Sequence, residues 1–100
     1  MNLFHIKASD GQAESFETLL TCKNVVIERI QSPPRMISEL FNQKQDEWVC
    51  LLQGEATLKL ESGTITLLAG ETLFIPSGTV HQVLDTSTEP PCIWLAVHIH

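Results

Sequence analysis

Tyrosine is absent from this chain of 100 residues, aromatic residues make up only 6%, and six basic side chains face twelve acidic ones. The basic shortage bears on partners. Affinity for a phosphate backbone is carried by clustered Lys and Arg, whereas Lys7, Lys23, Arg29, Arg35, Lys44 and Lys59 are scattered along a chain of net charge −6. No nucleic-acid partner is expected. Apolar runs are short too: none approaches the roughly 18–20 residues that span a bilayer. Residues 1–10, with Asn2, His5 and Lys7, have no apolar signal-peptide core. A cytoplasmic location and no membrane partner are therefore expected. Cysteine is sparse, with Cys22, Cys50 and Cys92 far apart and no C-x-x-C pair. That spacing fits neither a disulfide framework nor a structural zinc site. Cys50 and Cys92 stand among aliphatic neighbours, where a free thiol acts as a small buried hydrophobe.

What the chain does contain is β sequence punctuated by turns. Residues 15–21 and 25–31 are two β-branched or apolar runs joined by Cys22-Lys23-Asn24, a hairpin connection. Ser32-Pro33-Pro34 stops the second run, because proline cannot donate to a ladder. Residues 36–46 are irregular and rich in amides. Strand pattern resumes at Trp48-Val49-Cys50-Leu51-Leu52 and is cleanest over residues 56–61, where Ala56, Leu58 and Leu60 alternate with Thr57, Lys59 and Glu61. Ser62-Gly63 turns the chain back through residues 64–67. Turns at Ala69-Gly70-Glu71 and Pro76-Ser77-Gly78 bracket Leu73-Phe74-Ile75, and residues 80–84 and 92–99 complete the set. No window makes a convincing helix. Residues 14–20 come nearest, with Phe16, Leu19 and Leu20 at helical spacing, but the segment is short and uncapped. About eight short strands at this spacing predict an all-β antiparallel sandwich or small barrel in a single domain, residues 1–100.

The run Trp48 to Leu52 is apolar on both alternating faces, where a sheet with one wet face should alternate. Both faces are therefore expected to be covered, one by the barrel core and the other by an N-terminal strand or a second subunit. A homodimer follows from the second choice; cover by the N-terminal hairpin alone is the alternative.

Gly70, Pro76, Gly78 and His81 stand at the spacing G(X)5PXG(X)2H, and Asp85 occupies the position of the asparagine that ends the pattern G(X)5PXG(X)2H(X)3N. Upstream, Glu47 and Gly54 fit the end of a second pattern, G(X)5HXH(X)3,4E(X)6G. Over residues 32–98 the chain resembles a small single-domain cupin with an intact second motif and a degraded first one. That resemblance implies a cupin jelly-roll barrel of about eight to ten antiparallel strands, with residues 1–31 supplying N-terminal strands and residues 32–98 the core. It also implies that Glu47 and His81 point into the barrel and hold a divalent metal (Fe, Mn, Ni or Zn) with two histidines of the first motif. Those histidines are missing: their positions hold Phe41 and Gln43. Phe41 has no donor atom, and an amide oxygen is a weaker donor than an imidazole nitrogen.

The candidate metal set is thus Gln43, Glu47, His81 and, if the last strand turns it inward, His98. Two registers of that strand are open. Trp94, Ala96 and His98 share one face; the more apolar choice, and the favoured one, points Ile93, Leu95, Val97 and Ile99 inward and His98 outward. Without metal, Glu47 and His81 would form a hydrogen-bonded pair able to serve as a general acid–base dyad. The expected barrel mouth has walls from Phe41, Phe74 and Trp94. Its function is expected to be binding of a small-molecule ligand around Glu47 and His81. The alternative is a cupin enzyme, either metal-dependent (dioxygenase- or isomerase-like) or metal-free through that dyad.

Overall fold

Eight antiparallel strands form where the alternating stretches stand: β1 (Ser15–Cys22), β2 (Val25–Ser32), β3 (Asp46–Gln53), β4 (Glu55–Leu60), β5 (Gly63–Leu68), β6 (Thr72–Ile75), β7 (His81–Thr86) and β8 (Cys92–Ile99). The computed structural model describes residues 1–6 and 13–100. No helix occurs among them, so none is long and apolar enough to cross a membrane. The segment with helical spacing, residues 14–20, lies mostly in β1, because pairing with β2 outweighs a weak local pattern.

Two sheets result, one ordered β1-β2-β8-β3-β6 and the other β5-β4-β7. They form the two layers of a jelly roll. Their facing surfaces bury Val49, Leu51, Ala56, Leu58, Leu67, Ile75, Val83, Cys92 and Trp94 as one cluster. Alternation along β4 is as predicted, with Ala56 and Leu58 in this core and Lys59 exposed.

Register decides which side chains meet across the larger sheet. One row runs Val26, His98, Glu47, Ile75 across β2, β8, β3 and β6, and the next begins Glu28, Ala96, Val49. Both face the smaller sheet. The intervening row, on the opposite side, reads Leu20, Ile27, Val97, Trp48, Phe74 from one edge of the sheet to the other. Phe74 is 52% exposed there. The expectation that Phe74 walls the cavity therefore fails, since its neighbour Ile75 takes the inward position. The favoured register of the last strand fails for the same reason. Trp94, Ala96 and His98 point inward, and Ile99 is exposed.

The long connection between β2 and β3 carries only an isolated bridge, Phe41 to His81, in keeping with its irregular sequence. It is nonetheless tied along β7: Arg35 N–H donates to the Thr86 carbonyl (2.8 Å), Ser38 N–H to Val83 (2.9 Å) and Phe41 N–H to His81 (2.8 Å). This lacing carries Phe41 and Gln43 over one end of the barrel. Gly54 makes the tight return from β3 to β4 at φ +95°, and a Cβ there would lie 2.8 Å from Ser87 Oγ and 2.9 Å from Cys92 Sγ. Only glycine meets both demands.

Candidate functional site

Between the sheets lies a cavity of about 110 Å³. Its apolar wall is built by inward residues of both sheets, including Ile30, Val49, Leu58, Val83 and Trp94, closed at one side by Phe16 and Phe41. Polar side chains reach it from four places. The loop before β3 brings Gln43, β3 brings Glu47, β7 brings His81, and β8 brings His98. All four predicted site residues thus line one cavity. Two more, Glu14 and Glu28, come from the N-terminal part of the chain, where no site was expected.

The two motif regions are stapled together beneath the cavity. Gly78 N–H donates to the Gln43 carbonyl (2.8 Å), Ser77 N–H to Asp46 Oδ1 (2.8 Å), and Ser77 Oγ to the Lys44 carbonyl (2.5 Å). Gly78, at φ +76°, turns the loop so that these donors face the segment before β3. His81 then starts β7 with its ring stacked on Phe41, centroids 5.4 Å apart. Its Nδ1 lies 3.0 Å from the Thr79 carbonyl, which can only accept, so Nδ1 carries the proton. In the neutral ring Nε2 is left as an acceptor, with no partner among the described residues. Phe41, at a position whose family pattern asks for a histidine, therefore serves as a stacking platform and not as a donor.

Glu47 is 7% exposed and receives the Gln43 amide N–H on Oε1 at 2.6 Å. Its Oε2 has no partner among the described residues. No hydrogen bond or ion pair joins Glu47 to His81, so the expected dyad is not made: they open separately on the same space. His98 is fully engaged. Its Nδ1 takes the Gln45 amide (3.2 Å) and its Nε2 donates to Glu28 Oε1 (2.8 Å). Glu14 receives the Ser32 hydroxyl on Oε2 at 2.8 Å, and that hydroxyl in turn accepts the Trp94 indole N–H at 2.9 Å. Burial pushes the Glu14 carboxyl above its ordinary value; the Ser32 hydrogen bond opposes this, and the charges of Glu28 and Glu47 reinforce it.

This donor set does not fit the divalent metal expected at Gln43, Glu47, His81 and His98. Gln43 turns its amide nitrogen to the only acidic candidate ligand, and both nitrogens of His98 are already bonded. Among the described residues no group of three or more His, Cys, Asp and Glu side chains is placed to hold a metal ion. Of the four candidate ligands, Gln43 is turned to Glu47 and His98 is held by Gln45 and Glu28, which leaves only Glu47 Oε2 and His81 Nε2 free of partners among the described residues.

Glu28 had a signal in the sequence. On β2 it sits between Val26 and Ile30, an acidic residue in the middle of an apolar alternating face. Such a residue points either to solvent with its whole face or into a polar cavity. Glu14, at the head of the short segment with helical spacing, and Gln45, in the irregular stretch before β3, carry no comparable signal.

Comparison with known proteins agrees with this architecture. The family model described as the cupin domain matches residues 30–98. A candidate mannose-6-phosphate isomerase from Ralstonia eutropha has a solved structure that is 33% identical, covering 99% of this chain and 95% of that one with a TM-score of 0.90. A cupin superfamily protein from Desulfitobacterium hafniense is 18% identical, covering 94% and 83%, with a TM-score of 0.80. A polyketide cyclase from Streptomyces resistomycificus is 19% identical, covering 88% and 66%, with a TM-score of 0.75. The last two show likeness of fold alone. No match is found among the curated proteins. With the barrel, the second motif and the family match all falling on the same residues, the chain belongs to the cupin family.

Proposed function

We propose that this cupin binds a small molecule in the cavity between its sheets, with Glu47 Oε2 and His81 Nε2 as polar anchors, and that it does so as a homodimer. The observation that carries the reading is the state of those two atoms. Both belong to side chains that are 7% exposed, both lack a partner among the described residues, and both residues line one apolar-walled cavity. The only polar side-chain atom sealed away without a partner among the described residues is Arg29 Nε. The free atoms of Glu47 and His81 therefore open onto space rather than onto packed protein. A few polar groups converging in an apolar concavity is the usual build of a small-molecule site.

The Ralstonia relative's name does not transfer directly. A phosphorylated sugar calls for Arg or Lys at its phosphate, and the described lining residues include neither. A second reading, metal-free acid–base catalysis, is favoured by His81 alone: the Thr79 carbonyl fixes its tautomer and leaves Nε2 positioned as a proton acceptor.

Elemental analysis by plasma mass spectrometry of tag-free protein, beside Glu47→Gln, tests the metal-independent binding reading. Well below one Fe, Mn, Ni or Zn per chain is expected in both, with ligand-induced shifts in a fragment screen lost on His81→Ala while the fold is retained. Near-stoichiometric metal that disappears in Glu47→Gln would overturn it.

A further inference from the structure

The hydrogen bonds around the cavity leave an imbalance between donors and acceptors. Each of three carboxylates is tied down through one oxygen only: Glu14 Oε2 by Ser32, Glu28 Oε1 by His98, and Glu47 Oε1 by Gln43. The other oxygens, Glu14 Oε1, Glu28 Oε2 and Glu47 Oε2, have no partner among the described residues. His81 adds an independent, fourth acceptor. Its side chain is 93% buried by the 7% exposure of the residue, it comes from the opposite sheet, and its free Nε2 belongs to a ring that lines the same cavity. The described lining residues include no Lys or Arg to answer this charge. The remaining walls are aromatic and aliphatic, with Phe16, Phe41 and Trp94 presenting π surface.

Resting on the small-molecule reading above, we infer that the ligand is a short primary ammonium ion. The chemistry follows from the inventory. Three carboxylate oxygens and an imidazole nitrogen all accept, and a primary ammonium group offers three donors and no acceptor. Its positive charge is stabilised by the carboxylates and by the faces of the aromatic rings. A neutral alcohol brings one donor and leaves the negative charge unmatched, and a carboxylate or phosphate meets like charge from three sides. Size limits the rest of the molecule. A cavity of about 110 Å³ holds the liquid share of roughly four waters, which suits an amine with a short aliphatic tail lying against Ile30, Val49 and Leu58.

A charge series of one shape tests this. Propylammonium, 1-propanol and propanoate are titrated separately into the whole chain at neutral pH, and the Trp94 indole and His81 ring signals are followed by NMR. Propylammonium is expected to shift both signals saturably, 1-propanol to bind at least about tenfold more weakly, and propanoate to leave them unmoved. Glu28→Gln and Glu14→Gln are each expected to weaken propylammonium and leave 1-propanol unchanged. Glu14 stands before β1, so its variant keeps the test open if Glu28→Gln fails to fold. Equal binding of propylammonium and 1-propanol, or preference for propanoate, overturns the ammonium assignment and leaves the cavity a ligand site. Silence from all three probes overturns both.

Discussion

Glu14 is where the crowding of charge becomes measurable without any ligand. Its carboxyl is raised by burial first, with Glu28 and Glu47 adding to the shift and Ser32 opposing it. A carboxyl raised in the folded chain binds its proton more tightly there than in the unfolded chain. Stability is therefore unaffected well below the ordinary value of 4.5 and falls as pH rises from there through the raised folded value. Glu14→Gln removes the titrating group and keeps an acceptor for Ser32. Chemical denaturation as a function of pH should show the wild type losing stability relative to Glu14→Gln across that window, with the variant the more stable at neutral pH. Parallel curves would mean that Glu14 is as free in the folded state as in the unfolded one. Gly54 makes a different prediction at the same scale. Gly54→Ala combines a φ of +95° with a Cβ only 3.0 Å from the Cys92 Cα, a backbone atom that cannot swing aside. Backbone strain and overpacking together are expected to cost about 2–4 kcal/mol, or a Tm lower by roughly 10–20 °C. A change within a degree or two would show that the β3–β4 return can be rebuilt.

Among the elements, the strands and the short turns between them were readable from sequence, and the long β2–β3 connection was not. Two-residue alternation over residues 56–61 and 64–67 identified a hairpin because one face is buried against the core and the other is wet. The last strand resisted the same treatment. Both of its faces are apolar apart from His98, so hydrophobicity alone favours the wrong face; what turns His98 inward is Glu28, a partner 70 residues away in sequence. The motif found His81, Glu47 and Gln43 because its spacing encodes the stapled turns beneath them. It could not find Glu14 or Glu28, which lie outside it, nor show that Glu47 and His81 stay apart. The first residues of the chain add an element no strand pattern marks. Arg29, on the outward side of β2 and 6% exposed, donates through Nη1 to the carbonyls of Asn2 (3.3 Å), Leu3 (3.1 Å) and His5 (2.9 Å) and pairs through Nη2 with Glu17. A single guanidinium thus pins residues 2–5 across the back of the larger sheet. Arg29→Met keeps the packing bulk and removes the donors. Faster amide exchange over residues 2–5 is expected, with a stability loss of about 2–3 kcal/mol for the orphaned carbonyls. Unchanged exchange there would assign the segment's position to packing by Leu3 and Ile6 instead.

At the scale of the whole molecule, the row Leu20, Ile27, Val97, Trp48, Phe74 is the feature that a monomer leaves unexplained. Of its five side chains, Leu20, Trp48 and Phe74 are exposed at 51%, 37% and 52%. The N-terminal segment covers part of this face around Arg29, which leaves the expectation of cover for both faces of β3 only partly met within one chain. Four strands of eight residues and one of four, at roughly 4.8 Å spacing and roughly 3.4 Å per residue, make a face of at most about 24 by 27 Å. That is close to the roughly 800 Å² per partner of a standard interface once side-chain relief is counted. Three large apolar side chains exposed along one row are surface that a second copy laid across it by a two-fold axis would cover, burying Trp48 against its own kind of surface. Sedimentation equilibrium at micromolar concentration should therefore give twice the chain mass of 11.2 kDa. Trp48→Glu places a charge within the stripe, between Val97 and Phe74, while leaving the inward rows untouched, so it should return the mass to that of one chain with the β spectrum intact. A wild-type mass of 11.2 kDa would remove the dimer. A dimer that survives Trp48→Glu would move the contact elsewhere, to the exposed edge of β1 around Phe16. In that case Phe16 would bring the cavity rim into the interface, and ligand affinity would depend on chain concentration.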